Sequence, residues 1–139
     1  PIQIGRGCYP AGSPVFEQSM AVFQEQFRMI KEMALKSDCV IVGRCADYIL
    51  KEYRPMRIFV YADMESRMAR CRAKAPEEEE MTDKELKQHI LGIDKKRAKY
   101  YEFYTGHKCG DKLNFDLCVN TSGIVIKEIV PGMAAMLKR

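Results

Sequence analysis

The chain has 139 residues, 47% of them apolar, and a formal net charge of +4. That length suits one domain with a core of its own, and 30% charged residues is ordinary for a water-exposed protein. The modest basic excess suits phosphate-bearing ligands but is too small to indicate nucleic-acid binding, and no apolar run approaches the roughly 20 residues that span a bilayer.

No signal peptide is visible. The six cysteines show no C-x-x-C spacing and read as reduced thiols of a cytoplasmic protein. His89, His107 and Cys109 lack the four-ligand spacing of a zinc site, so no metal residues are assigned.

In chain order, residues 1–12 give a short apolar start and then turn formers. Ser13-Pro14 reads as an N-cap followed by proline at the first helical position. Phe16, Met20, Phe23, Phe27, Ile30 and Ala34 recur at steps of four and three, which predicts an amphipathic helix ending near Lys36. Val40-Ile41-Val42 reads as a strand buried on both faces, as in a parallel sheet. Ala46 to Glu52 reads as a short helix, and Met56 to Ala62 as a second buried strand. Met64 to Ala75 is a basic helix.

Pro76 and the run Glu77–Glu80 form a solvated connection. Thr82 with Glu85 makes a capping box, opening a long helix that carries Leu86, Ile90 and Ile93, then Arg97, Tyr100, Tyr101 and Tyr104. Phe115 to Asn120 is a third strand. A last helix carries Ile126, Ile129, Val130, Met133 and Leu137 on one face, with Pro131 kinking it or delaying its start. Strands alternating with helices predict an open α/β sheet with right-handed crossovers.

Ligands of such sheets bind beyond the carboxyl ends of the strands, where Gly43-Arg44 sits. Glycine permits a sharp turn, and arginine offers a planar fork of donors for phosphate oxygens. An ion pair from Arg44 to Asp47 or Glu52 is the purely structural alternative. Asp63 ends the next strand and reads as a helix cap or a partner for a cation. Arg67 and Arg70 share a helix face, and Arg97, one turn before Tyr100 and Tyr101, is expected to turn inward beside them. Phosphoryl transfer uses such equipment, because charge spreads over the transferred oxygens and catalysis is mostly positioning and electrostatics.

Four blocks, "CVIVGRCADYIL", "MRIFVYADMESRMARCRA", "DKKRAKYYEFYTG" and "FDLCVNTSGI", resemble in order those of the cytidylate kinase-like family of P-loop nucleoside monophosphate kinases. The resemblance covers about residues 14–139. It implies an α/β, P-loop kinase-like three-layer fold with a parallel sheet and a helical lid over about residues 67–104. It also implies phosphoryl transfer from ATP, with Mg2+, to a nucleoside monophosphate such as CMP. Carried over by position, Gly43, Arg44 and Asp47 bind the acceptor. Arg67 or Arg70, together with Arg97, stabilise the transferring group, and Asp94 orients one of these arginines.

"IQIGRG" resembles the family's phosphate-loop opening, with Gly12-Ser13 as a second echo, so Gly5, Arg6, Gly7, Gly12 and Ser13 are the donor-binding candidates. Two departures stand out. Val42-Gly43-Arg44-Cys45 replaces the Asp-Gly-Arg-Asp of cytidylate kinases, and no G-x-x-x-x-G-K-S/T occurs. The preferred reading is a single domain incomplete between about residues 5 and 14. The alternatives are an inactive relative that binds a nucleotide or partner, and an RNA-binding module built on Lys95–Tyr104. Expected partners are small nucleotides, with neither membrane nor nucleic acid, and tyrosines near Tyr100–Tyr104 are available to an interface between copies.

Overall fold

The computed structural model describes residues 2–4, 7–9, 11–74 and 80–137. They gather into two compact units, Pro1–Pro55 with Lys95–Asp111, and Met56–Asp94 with Lys112–Arg139. Among the described residues, no helix is long and apolar enough to cross a membrane.

The first unit opens with strands β1 (Ile2–Ile4) and β2 (Gly7–Tyr9), paired antiparallel with Ile4 opposite Gly7. A parallel pairing is ruled out by chain length, since only two residues separate these strands and a parallel crossover needs a dozen or more. The opening is therefore a hairpin rather than the first strand of a parallel sheet.

Helix α1 (Pro14–Lys36) starts as its sequence dictates. Ser13 is extended, its Oγ accepts from the Phe16 amide at 3.3 Å, and proline occupies the first turn. The stripe from Phe16 to Ala34 turns inward, with Ile30 buried and the others half-buried. Short helix α2 (Ala46–Ile49) and a 3-10 turn over Lys51–Tyr53 follow. The core is Ile30, Cys45, Ala46, Ile49 and Leu50, with Phe27, Ala34, Ile41 and three tyrosines packed on it. Those tyrosines, Tyr100, Tyr101 and Tyr104, come from the last turns of helix α4 (Asp83–Thr105). They are half-buried rather than exposed.

Residues 40–42 are not a buried strand. Their backbone joins no ladder among the described residues, and Val40 and Val42 are 90% and 88% exposed. Burial on both faces requires a ladder and covering layers. Here Ile41 alone meets the core.

The second unit holds the parallel pair. Strand β3 (Ile58–Tyr61) runs beside β4 (Leu117–Asn120), with Ile58 opposite Leu117 and Tyr61 opposite Asn120. Side chains fasten both ends. At the start, Asp116 accepts from the Arg57 backbone and guanidinium at 2.7, 3.1 and 3.0 Å. At the finish, buried Thr121 donates from its backbone and hydroxyl to the Tyr61 carbonyl at 2.8 and 3.0 Å.

Helix α3 (Met64–Lys74) follows β3 directly. The opening part of α4 buries Leu86 and Ile90, and its capping box forms as predicted. Glu85 accepts from the Thr82 amide at 2.8 Å, and Thr82 Oγ1 accepts from the Glu85 amide at 3.3 Å. Helix α5 (Ile126–Leu137) contains Pro131. Of its apolar face, Ile129 and Met133 are half-buried, whereas Ile126, Val130 and Leu137 are exposed.

Candidate functional site

Three consecutive residues, Gly43, Arg44 and Cys45, adopt left-handed backbone with φ of +72°, +57° and +56°. Glycine enters this region freely. For Arg44 and Cys45 it costs on the order of 1 kcal/mol or more each, and such outliers persist only where the surroundings over-determine them. The surroundings here are identifiable. Cys45 is 4% exposed within the core, its carbonyl accepts from the Tyr48 and Ile49 amides at 3.0 and 2.9 Å, and the Ala46 amide donates to the Gly43 carbonyl at 3.2 Å. Burying Cys45 turns the adjacent Arg44 outward.

Arg44 stands at a cleft of about 280 Å³ lined by Gln18, Ser19, Val22, Phe23, Gln26, Tyr100 and Tyr104. Phe23 and Tyr104 stack with ring centroids 3.8 Å apart and planes 13° apart. Among the described residues Arg44 forms no ion pair, so the alternative pairing with Asp47 or Glu52 is not made. Its guanidinium lies beside the Tyr100 hydroxyl. Burial raises that phenol's pKa and the Cys45 thiol adds to the rise, while Arg44 opposes it.

Asp47 points elsewhere. Its Oδ2 accepts from the Tyr101 hydroxyl at 2.6 Å. Burial first, and then the Asp47 carboxylate, push the Tyr101 phenol up. Asp47 thus braces α2 against α4. Arg97 is exposed and forms no ion pair among the described residues. It does not turn inward with the tyrosines, because a long cationic side chain lays its stem along the helix and keeps its head in water.

In the second unit, Arg67 Nη2 meets Asp94 Oδ1 at 2.8 Å, with both side chains about a third exposed. Arg70 is committed differently. It donates to Thr121 Oγ1 at 3.0 Å, to the Thr121 carbonyl, and to the Ile124 carbonyl at 3.3 Å. Those carbonyls hold the turn after β4, so the donors of Arg70 are already engaged.

Asp63 caps α3, accepting from the Ser66 amide at 2.7 Å, and its own amide donates to Ser122 Oγ at 2.7 Å. The Ser66 bonds, with help from Ser122, hold its carboxyl below the usual range. A second cleft, lined by Asp63, Glu65, Ser66, Ala69, Ser122 and Gly123, lies where β3 and β4 end.

Of the donor-loop candidates, Gly5 and Arg6 lie outside the described residues. Gly7 is in β2, Gly12 has φ +82° in the turn before α1, and Ser13 is spent as the N-cap. Among the described residues no three His, Cys, Asp or Glu side chains gather as a metal site. A magnesium ion carried on nucleotide phosphates needs only one or two carboxylates. Gln18, Ser19, Val22 and Gln26 are the lining residues that sequence reasoning passed over. The two glutamines are polar positions flanking the Phe23 stripe, indistinguishable there from solvated ones.

The sequence matches the cytidylate kinase-like family model over residues 9–123. The chain belongs to the cytidylate kinase-like family. Among solved structures it is similar to an uncharacterized protein from Eubacterium ventriosum ATCC 27560, at 27% identity and a TM-score of 0.75 over 86% of this chain and 74% of that one. No curated protein matches it. The family relationship is kinase-like, and Arg44, Arg67, Asp94 and Arg97 all fall inside the matched span. The fold is mixed helix and strand, and its described parallel sheet has two strands.

Proposed function

We propose that this chain acts in phosphoryl transfer from ATP to a nucleoside monophosphate such as CMP, within a cytoplasmic, P-loop kinase-like three-layer fold. The observation that carries the reading is Arg44, held on strained backbone without a carboxylate partner at a cleft floored by aromatic rings. A guanidinium so placed offers two parallel N–H donors to a phosphate. Family membership supports reading that phosphate as the acceptor's.

Arg67, oriented by Asp94, and the exposed Arg97 are the groups that would meet charge developing on the transferred oxygens. Arg70 is the weaker of the two alternatives on α3, because its donors already hold carbonyls. The glycine-bearing segment before α1, Gly5 to Ser13, would serve the donor phosphates through backbone N–H groups. Residues 67–104 would close as the lid and exclude water as a competing acceptor. Free cysteines suit the reducing cytoplasm.

The test is ATP-Mg2+-dependent phosphorylation of CMP followed by product chromatography. Arg44→Ala is expected to lower kcat/KM for the acceptor about 10- to 100-fold, the worth of a charge-assisted bond. Unchanged turnover in Arg44→Ala would sink the assignment. A second reading, an inactive nucleotide-binding relative, is favoured by one fact: the 139 residues contain no G-x-x-x-x-G-K-S/T. It predicts CMP binding, weakened by Arg44→Ala, without any turnover.

A further inference from the structure

Helix α1 carries a second apolar stripe besides the one that packs inward. Val15, Val22 and Met29 recur every seven residues, and Met33 follows four later. With 3.6 residues per turn, these four fall within about 40° of one another and run about 27 Å along the helix. The inward stripe lies about a third of a turn away. All four are between 43% and 51% exposed, whereas the Phe16 to Ala34 stripe is half-buried or buried. Single exposed apolar side chains are ordinary. A row of them on a seven-residue period is the pattern of a helix that packs on another helix.

We propose that a second copy of this chain covers the stripe, with its α1 antiparallel to the first. The charges of the helix select that partner. From Pro14 to Glu25, α1 holds Glu17 and Glu25 and no base, a net −2. From Gln26 to Lys36 it holds Arg28, Lys31 and Lys36 against Glu32, a net +2. A two-fold axis midway between Val22 and Met29 sets Val22 at the level of the partner's Met29 and lays each acidic half along the other's basic half. A parallel pair would set acid on acid and base on base, and the helix dipoles also favour the antiparallel sense. Arg28 is bonded to Glu25 and Glu32 on its own helix, and Lys31 stands over the Phe27 ring. Glu17 and Lys36, at opposite ends, form no ion pair among the described residues. The antiparallel dimer brings each toward its opposite on the other copy. Gln18 and Gln26 flank the stripe, and polar residues at a seam fix register at a cost in stability. Val22 also lines the cleft beside Arg44, so the second copy's helix stands along the rim of that cleft. The association needs no nucleotide and holds or fails apart from the acceptor-site reading.

Sedimentation velocity over a concentration series tests the inference. A small, partly polar interface of this kind should give a reversible dimer with a Kd of about 10⁻⁶ to 10⁻⁴ M. Met29→Lys, at an exposed position where circular dichroism should show an unchanged fold, is expected to weaken the dimer about tenfold or more. Lys36→Glu should weaken it about threefold. Adding Glu17→Lys to that variant should restore the wild-type Kd, because the exchange rebuilds the opposite pair only when the helices run antiparallel. A monomer at every concentration overturns the inference. So does a dimer that Met29→Lys leaves intact, since the contact then lies on another face. A double variant that associates no more tightly than Lys36→Glu alone overturns the antiparallel arrangement.

Discussion

The turn at Gly43–Cys45 depends on sending its last side chain into the core and its middle one out of it. Cys45 supplies the anchorage, and its thiol records the burial. Burial first, then Asp47 and Cys109, lift it from the ordinary 9.0 to about 12. An unfolded chain ionises this thiol near 9, whereas the folded chain keeps it protonated until about 12. The folded state therefore binds more protons between those values. Its contribution to stability is complete below the lower one and is lost as pH rises through the window. Burial also raises the Tyr100, Tyr101 and Tyr104 phenols, which act in the same sense at still higher pH. The urea midpoint should accordingly fall between about pH 9 and 11, and Cys45→Ala should flatten the onset of that fall. A midpoint constant or rising over the window would show that the thiol does not anchor the turn.

At the scale of elements, α4 matters most, because it contributes Leu86 and Ile90 to one unit and three tyrosines to the other. Its start rests on the reciprocal bonds of Thr82 and Glu85. Thr82→Ala is expected to cost about 1 kcal/mol and to lower the thermal midpoint by roughly 4 °C. Thr82→Ser, which keeps the oxygen, should sit near the wild type in the same melt. The Thr82 bonds hold the Glu85 carboxyl below its usual 4.5. This support is therefore present above that value and fades as pH falls through the folded one. Equal midpoints for the alanine and serine variants would mean the cap is idle.

The capping box was legible because its two residues are neighbours, and the α1 stripe was legible because its period repeats over five turns. The strand read into residues 40–42 was not, since burial on both faces depends on ladder partners that no local pattern reveals. Arg67 and Asp94, 27 positions apart, were linked through family resemblance and by no periodicity. The binding of Arg70 to carbonyls beyond β4 left no trace in spacing at all. Gln26 looked like any solvated position until the tyrosines of α4 stood opposite it.

For the whole molecule, a net charge of +4 leaves nucleic acid and free nucleotide as the two anionic partners to separate. Lys95, Lys96, Arg97 and Lys99 are exposed along α4, a cationic strip that any polyanion would meet. Single-strand binding with useful affinity also needs aromatic faces on which bases can stack. The aromatic residues that alternate with this strip are engaged: Tyr104 stacks on Phe23, Phe103 meets Phe16 edge-on at 6.3 Å, and Tyr101 bonds Asp47. Charge alone then remains, and charge alone gives weak binding that counterions erase. Fluorescence anisotropy with a single-stranded RNA should give a Kd no tighter than about 10⁻⁶ M near physiological salt, falling off steeply between about 50 and 200 mM. Neutralising the strip should abolish what binding there is, and Arg44→Ala should leave it largely intact. CMP, a small anion held at one guanidinium, should respond in the opposite way, losing affinity with Arg44→Ala and only mildly with salt. RNA held more tightly than that limit, with a shallow salt slope, would mean that the rings of α4 leave their packing to meet bases. The cleft at Arg44 would then not be where this protein does its work.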